Sequence, residues 1–236
     1  MTAAANPARM DRNRKTALFA GALYLATFVS IPTLTLYAPV HERSYVTGSG
    51  PDTGVMVGGV LEMVVAFACI GTAVVLYPVV KRQNQSLAMG FVAARTLEAS
   101  TIVAGVACLL AVVSLQEAGA GADAVVTGQA LVALYDRFFL LGQSLIPAVN
   151  ALLLGSLLYK SRLVPRALPM LGFIGAPLLL ASNGATMFGL IDRISPVSGI
   201  ATLPIAVWEL SLGVWLVVKG FKPSPMISNA QAPVVA

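Results

Sequence analysis

Six apolar runs, each of nineteen residues or more, fill most of this chain: Thr16–Ala38, Val55–Val80, Leu87–Leu115, Val125–Tyr159, Ala167–Leu190 and Ile200–Val218. About twenty apolar residues in a helix are enough to cross the ~30 Å hydrocarbon core of a bilayer. At 57% hydrophobic and only 11% charged residues, with a mean hydropathy of +0.83, a soluble domain of 236 residues is excluded. The expected fold is all-α: a polytopic membrane bundle of six transmembrane helices over residues 16–221, preceded by a basic tail (1–15) and followed by a disordered tail (222–236) rich in Pro, Ser and Ala.

The first run is longer than the apolar part of a signal peptide, and Leu36-Tyr37-Ala38 is a poor cleavage site, so it reads as an anchor. Its Ala17, Gly21, Ala22 and Ala26 have the small-xxx-small spacing that lets helices approach closely. The fourth run is too long for one perpendicular span, since its 35 residues would make a helix of about 50 Å. It is expected to divide at Asp136-Arg137 into a short outer interfacial helix, Val125–Tyr135, and a span, Phe138–Tyr159; a single tilted helix protruding from the bilayer is the alternative. The fourth and sixth runs end alike, at Lys160 and Lys219; three repeated helical hairpins would give that likeness, and so would a shared basic ending.

Charge distribution orients the bundle. Of fifteen Lys and Arg residues, eleven fall in the N-terminal tail, the loops after the second and fourth runs, and the C-terminal flank. The opposite loops hold only Arg43 and Arg193, together with Glu42, Asp52, Glu117, Asp123 and Asp192. The positive-inside rule then places both termini in the cytoplasm, in the cell membrane. Tyr37, Tyr77, Tyr135, Tyr159 and Trp215 at run ends fit an interfacial aromatic belt. This scatter of basic flanks fits membrane topology better than nucleic-acid binding.

Polar residues inside the runs are the candidate site. Glu62, Arg95, Glu98, Asp136, Arg137 and Glu209 are ionisable, and Gln129, Gln143, Asn150 and Asn183 could add hydrogen bonds. A charge at mid-membrane costs about 2.5–3.5 kcal/mol on insertion scales, so such residues need partners or water. Arg95 and Glu98, three apart, share one helical face and can pair. Glu209, tenth of nineteen residues in its run, lies close to mid-membrane with no basic residue within a turn. Four acids against two arginines leave a formal −2, so at least one carboxyl should carry a proton or reach water. Arg95 is expected to be shared among Glu62, Glu98 and Glu209, either as a site or as a packing staple. Asp136 and Arg137 read as interfacial, and Trp208 as packing or lipid contact.

Several chemistries lack their residues. His41 is the single histidine, and HERSY lacks the second histidine of a zinc-hydrolase HExxH motif. There is no GxSxG; Gly48-Ser49-Gly50 has no histidine partner in the membrane. No nucleotide-binding glycine motif occurs, no histidine in any run could hold haem, and Cys69 and Cys108 lack CxxC spacing and read as packing residues. No metal and no cofactor is expected; the partners are the lipid bilayer and a small lipophilic or ionic substrate.

The segments RKTALFAGALYLATFVSIP, Gly59-Val60-Leu61-Glu62, GFVAARTLEA, NALLLGSLLYKSRLVPRALPMLGFIGAP and WELSLGVWLVVKGF resemble bacterial integral membrane proteins of the family known as domain of unknown function 4386, over roughly Arg14 to Phe221. That resemblance implies a helical membrane protein and assigns no catalytic residue. Three functions stay open: a small-molecule or proton-coupled carrier using Glu62, Glu98 and Glu209 with Arg95; a non-catalytic partner or sensor whose charges fix helix packing; and an intramembrane enzyme on a lipophilic substrate using a buried carboxylic acid.

Overall fold

The computed structural model of the chain describes residues 11–48 and 52–224, and among them every regular element is helical. Arg9 of the basic tail, Ser49 and Gly50 of the outer loop, and residues 225–236 lie outside the described residues. The long helices are α1 (Arg12–Ala26), α3 (Thr53–Val80), α4 (Gln85–Glu117), α5 (Val125–Phe139), α6 (Ile146–Ser161), α7 (Ala167–Met187) and α8 (Pro196–Val218), with a one-turn α2 at Thr33–Leu36. They make six stretches long and apolar enough to cross a membrane, so the protein is a multi-pass membrane protein.

The six spans close into a ring. The first packs on the second and the sixth, and each later one packs on its neighbour in chain order, with α4 touching both α5 and α6. Ring closure between α1 and α8 depends on small residues. A methyl group added at Gly21 would lie 2.7 Å from the Gly213 carbonyl oxygen, so the backbones meet directly. Ala17 is fully buried and Gly21 buried in this contact, whereas Ala22 is exposed. Arg14 fixes the same crossing, donating to the Leu216 and Val217 carbonyls at 2.9 and 2.6 Å, where the end of α8 leaves acceptors without helical donors.

Two spans are broken, each around a proline. Pro32 has no N–H for the Phe28 carbonyl, and the chain tightens into a 3₁₀ turn over Thr27–Ser30, with the Ile31 N–H donating to Phe28 instead. In the fourth span, Pro147 follows a π turn over Leu140–Ser144. The π turn interrupts the regular α-helix at Leu140–Ser144, but the backbone stays helical from Ala122 to Ser161, so the fourth span follows the single-helix alternative and is not divided at Asp136-Arg137 into an outer helix and a span; α5 runs through both residues to Phe139. The proline sets the position of the break, and the charged pair does not. The Ala148 N–H bonds back to Leu145, and the Ser144 carbonyl accepts a 2.8 Å hydrogen bond from the Asn183 side-chain amide on α7.

Packing differs between the two ends of the ring. At the end carrying both termini a continuous apolar core includes Leu76, Phe91, Leu154, Leu158, Trp208 and Leu212. Trp208, 2% exposed, is a packing residue. At the other end the loop after α2 folds as two 3₁₀ turns whose Val40, Tyr45 and Val46 pack with residues of α4 and α5. Tyr37 and Tyr135 belong to this second core at 4% and 3% exposure; they are buried residues and not belt aromatics. The expected disorder from residue 222 does not hold at Lys222 and Ser224. The Lys222 N–H donates to the Leu163 carbonyl at 2.8 Å and the Ser224 hydroxyl to Ser161, because the left-handed turn at Arg162 leaves those carbonyls open.

Gly21→Leu is expected to lower stability in detergent by about 1–3 kcal/mol through overpacking, while Ala22→Leu one position on is close to neutral; thermal melts of the two variants check the α1–α8 contact.

Candidate functional site

Arg95 occupies the middle of the ring with 1% of its side chain exposed. One nitrogen donates to Glu98 Oε2 at 3.1 Å, one helical turn on in α4, and the other to Glu209 Oε1 of α8 at 2.9 Å. Cys69 of α3 accepts a third bond at its sulfur, at 3.5 Å. The guanidinium carbon lies 5.1 Å from the Tyr24 ring centre on α1 and 5.8 Å from that of Phe91, within cation–π range. Asn150 of α6 completes the shell, donating to Glu98 Oε2 at 2.7 Å. One cation thereby connects helices from five of the six spans.

Glu62 does not belong to this group, contrary to expectation. Cys69, beside Arg95, is seven residues further along α3, so Glu62 stands about 10 Å nearer the other end of the helix. Its carboxyl is fully buried and accepts from the Tyr135 hydroxyl at 2.9 Å and from the Gln143 amide at 3.2 Å through Oε1. Among the described residues neither Glu62 Oε2 nor the Tyr37 hydroxyl has a hydrogen-bond partner. The result is a second polar pocket of neutral donors, separate from the Arg95 cluster.

A third cluster is built on Asp136, which joins elements distant in sequence. Its Oδ1 accepts from Arg193 at 2.8 Å and lies 3.3 Å from His41 Nε2. His41 Nδ1 is 2.7 Å from the Tyr37 carbonyl, so both ring nitrogens face acceptors and the doubly protonated imidazolium satisfies both. The hydrogen bond to Asp136 accordingly raises the His41 pKa above its ordinary 6.5, against the opposing effect of partial burial. Arg137 next to it is exposed.

A cavity of about 610 Å³ connects two of these clusters. Arg95, Glu98 and Glu209 line its deep end and Arg193 its mouth; Gln143, Ser182, Asn183 and Thr186 line its walls. Both broken segments also line it, through Thr27, Phe28 and Ser30 in the first span and Gln143, Ser144 and Pro147 in the fourth. Non-helical backbone at membrane depth is tolerated where it lines a cavity or is buried in protein, and this arrangement satisfies that condition. Among the three ions at the deep end, Glu209 is the most accessible at 14% exposure, against 6% for Glu98 and 1% for Arg95.

Of the residues singled out from sequence, Arg95, Glu98, Glu209 and Asn150 are brought together. Asn183 lines the cavity wall and holds the broken backbone of the fourth span, while Glu62 and Asp136 each anchor a separate cluster. Gln129 borders a smaller outer cavity of about 250 Å³ with His41 and Asp136. Tyr24, Cys69, Tyr135 and Arg193 carry no sequence signal of their own, because their polar atoms find partners 26 to 73 positions away or through a ring face.

Arg95→Ala is expected to lose about 3–5 kcal/mol of stability, because it strands Glu98 and Glu209 without their cation, and Asn183→Ala about 1–3 kcal/mol by leaving the Ser144 carbonyl unsatisfied; denaturation in detergent measures both. His41 is the only histidine, so its ring resonance titrates without ambiguity. Its midpoint should lie above 6.5 and fall back in Asp136→Asn. A raised folded-state value means that the pair stabilises the protein fully below pH 6.5 and that this contribution is lost as pH rises through the folded-state midpoint.

A family model described as "Domain of unknown function (DUF4386)" matches residues 19–220. No curated protein matches the chain, and no solved structure does. The matched region takes in all three clusters and all but the first two turns of the first span, and the chain, a multi-pass membrane protein, is a member of the domain of unknown function 4386 family.

Proposed function

We propose that this protein is a small-molecule carrier of the cell membrane, proton-coupled through Glu209, with the orientation of both termini in the cytoplasm that its basic loops favour. The observation that carries this reading is the cavity: it runs from one end of the ring to the ion cluster at its centre, while the other half of the ring is packed with apolar side chains. A path open from one side and closed on the other is what alternating access needs at one point of its cycle. Two further features support it. Two of the spans that line the cavity depart there from regular α-helix, into a 3₁₀ turn and a π turn, and Glu209 is both ion-paired and accessible from the cavity, so a proton or substrate can reach it.

A second reading, a non-catalytic partner or sensor, is favoured by one observation. The Arg95 network links helices of five spans and would serve as a packing staple even if nothing entered the cavity. An enzyme with Glu62 as general acid has less support, since Glu62 is fully buried and is not among the cavity-lining residues.

Purified protein in liposomes should move solute or protons in response to an imposed pH gradient, and Glu209→Gln should bring the rate down to that of empty vesicles. Equal flux in Glu209→Gln and the native protein would remove the carrier reading. Folded Glu62→Gln and Glu209→Gln proteins that abolish a cellular phenotype would remove the packing-only reading.

A further inference from the structure

We infer that the cavity binds a lipophilic organic cation with a single positive charge, and that Glu209 is its counter-ion in competition with a proton. This rests on the carrier reading only for the movement of that cation, not for its binding.

Charge accounting within the cavity comes first. Four charged residues line it, the carboxylates Glu98 and Glu209 and the cations Arg95 and Arg193. Arg193 is committed to Asp136, which lies outside the lining. At the deep end a single guanidinium serves two carboxyl groups, and with both ionised the group is one positive charge short. The accessible member of that group is the acid: Arg95 is sandwiched near Tyr24 and Phe91 and almost fully covered, whereas Glu209 retains exposure. A ligand arriving from the mouth passes Arg193, already paired with Asp136, and at the deep end meets the Glu209 carboxylate before the covered guanidinium of Arg95.

The walls define the rest of the ligand. Phe28, Ile31, Phe139, Leu179, Leu203 and Ile205 line a space large enough for a drug-sized body. A bare metal cation needs about six oxygen ligands, and the deep end presents one accessible carboxylate among apolar surfaces. An amine or quaternary cation with an apolar body satisfies both the charge and the walls; Phe28 adds a ring that suits a cation, while the Arg193 guanidinium already lies 4.7 Å from the Phe139 ring centre.

Proton competition follows from the groups that surround Glu209. Facing it are Arg95 and Glu98 of α4, Tyr24 of α1 and Cys69 of α3; α7 contains no titratable residue, α6 contributes the uncharged Asn150 through Glu98, and α8 has no other ionisable group. Protonation of Glu209 leaves Arg95 paired with Glu98 and removes the surplus negative charge, and with it the attraction for a cation.

Two probes of the same shape and opposite charge, tetraphenylphosphonium and tetraphenylborate, test this on the full chain in detergent, each measured alone with empty micelles subtracted. Tetraphenylphosphonium should bind saturably at one site, more weakly as pH falls, and at least about tenfold more tightly than tetraphenylborate. Glu209→Gln should weaken it by a similar factor and Glu209→Asp should retain it. Equal or tighter binding of the borate, binding of the phosphonium no greater than to empty micelles, or unchanged affinity in folded Glu209→Gln overturns the inference. Should Glu209→Gln aggregate, the two-ion comparison and the pH dependence of the native protein decide the matter. Saturable cation binding without flux in liposomes would sink the carrier reading alone; flux of a neutral or anionic solute without cation binding would sink the ligand class alone.

Discussion

A guanidinium in the middle of a membrane bundle must be neutralised by groups that reach it from several directions, and Arg95 imposes that condition on the whole ring. Its own helix supplies Glu98; α8 must come close enough to supply Glu209, α3 to present Cys69, and α1 to lay Tyr24 beside it. Leaving any one of these charges alone in hydrocarbon costs several kcal/mol. That penalty is of the same order as overpacking at a helix contact, so the ion cluster and the small-residue crossing of α1 and α8 reinforce one another. Arg14 on the α8 carbonyls and Gly21 against Gly213 hold the crossing at which Glu209 meets Arg95.

Prolines shape what lies beyond the cluster. Pro32 and Pro147 each remove a backbone donor, and the two spans respond with a 3₁₀ turn and a π turn on the same cavity. Beyond Pro147 the Ala148 N–H turns to the Leu145 carbonyl, and the Ser144 carbonyl four residues before it takes its donor from Asn183 instead. The polar group that appeared suited to a ligand thus has a backbone to hold as well as a wall to line. At the mouth, Asp136 ties α5 to the loop before α8 through Arg193 and to the outer loop through His41. Deprotonation of His41 leaves that carboxylate to Arg193 alone, so the charge beside Arg193 depends on pH.

Much of this was legible from residue order. Six apolar runs specified six spans, because a bilayer demands a length and a polarity that can be counted. Arg95 and Glu98 are a pair by helical geometry alone, and the depth of Glu209 followed from its place in its run. The grouping of Glu62 with them was wrong, since seven residues of helix rise separate it from Cys69 and no run boundary reveals that distance. Tyr135 reads as an interfacial aromatic because it closes the expected Val125–Tyr135 helix; its hydroxyl is in fact a donor to Glu62. The break in the fourth span followed the proline and not the charges at Asp136-Arg137.

The sequence by itself determined the solvent, the number of crossings and the need for a partnered charge near mid-membrane, because each of these depends on composition and local spacing along one helix. Which residues meet was decided by the tertiary structure alone. Glu209 reaches Arg95 across 114 positions, His41 reaches Asp136 across 95, and the cavity lies where the later part of the first span and the π turn of the fourth converge with α3, α4, α7 and α8. Contacts of that kind depend on the rotation of each helix about its axis and on the order of helices around the ring. Both are set by packing between surfaces that residue order does not place side by side.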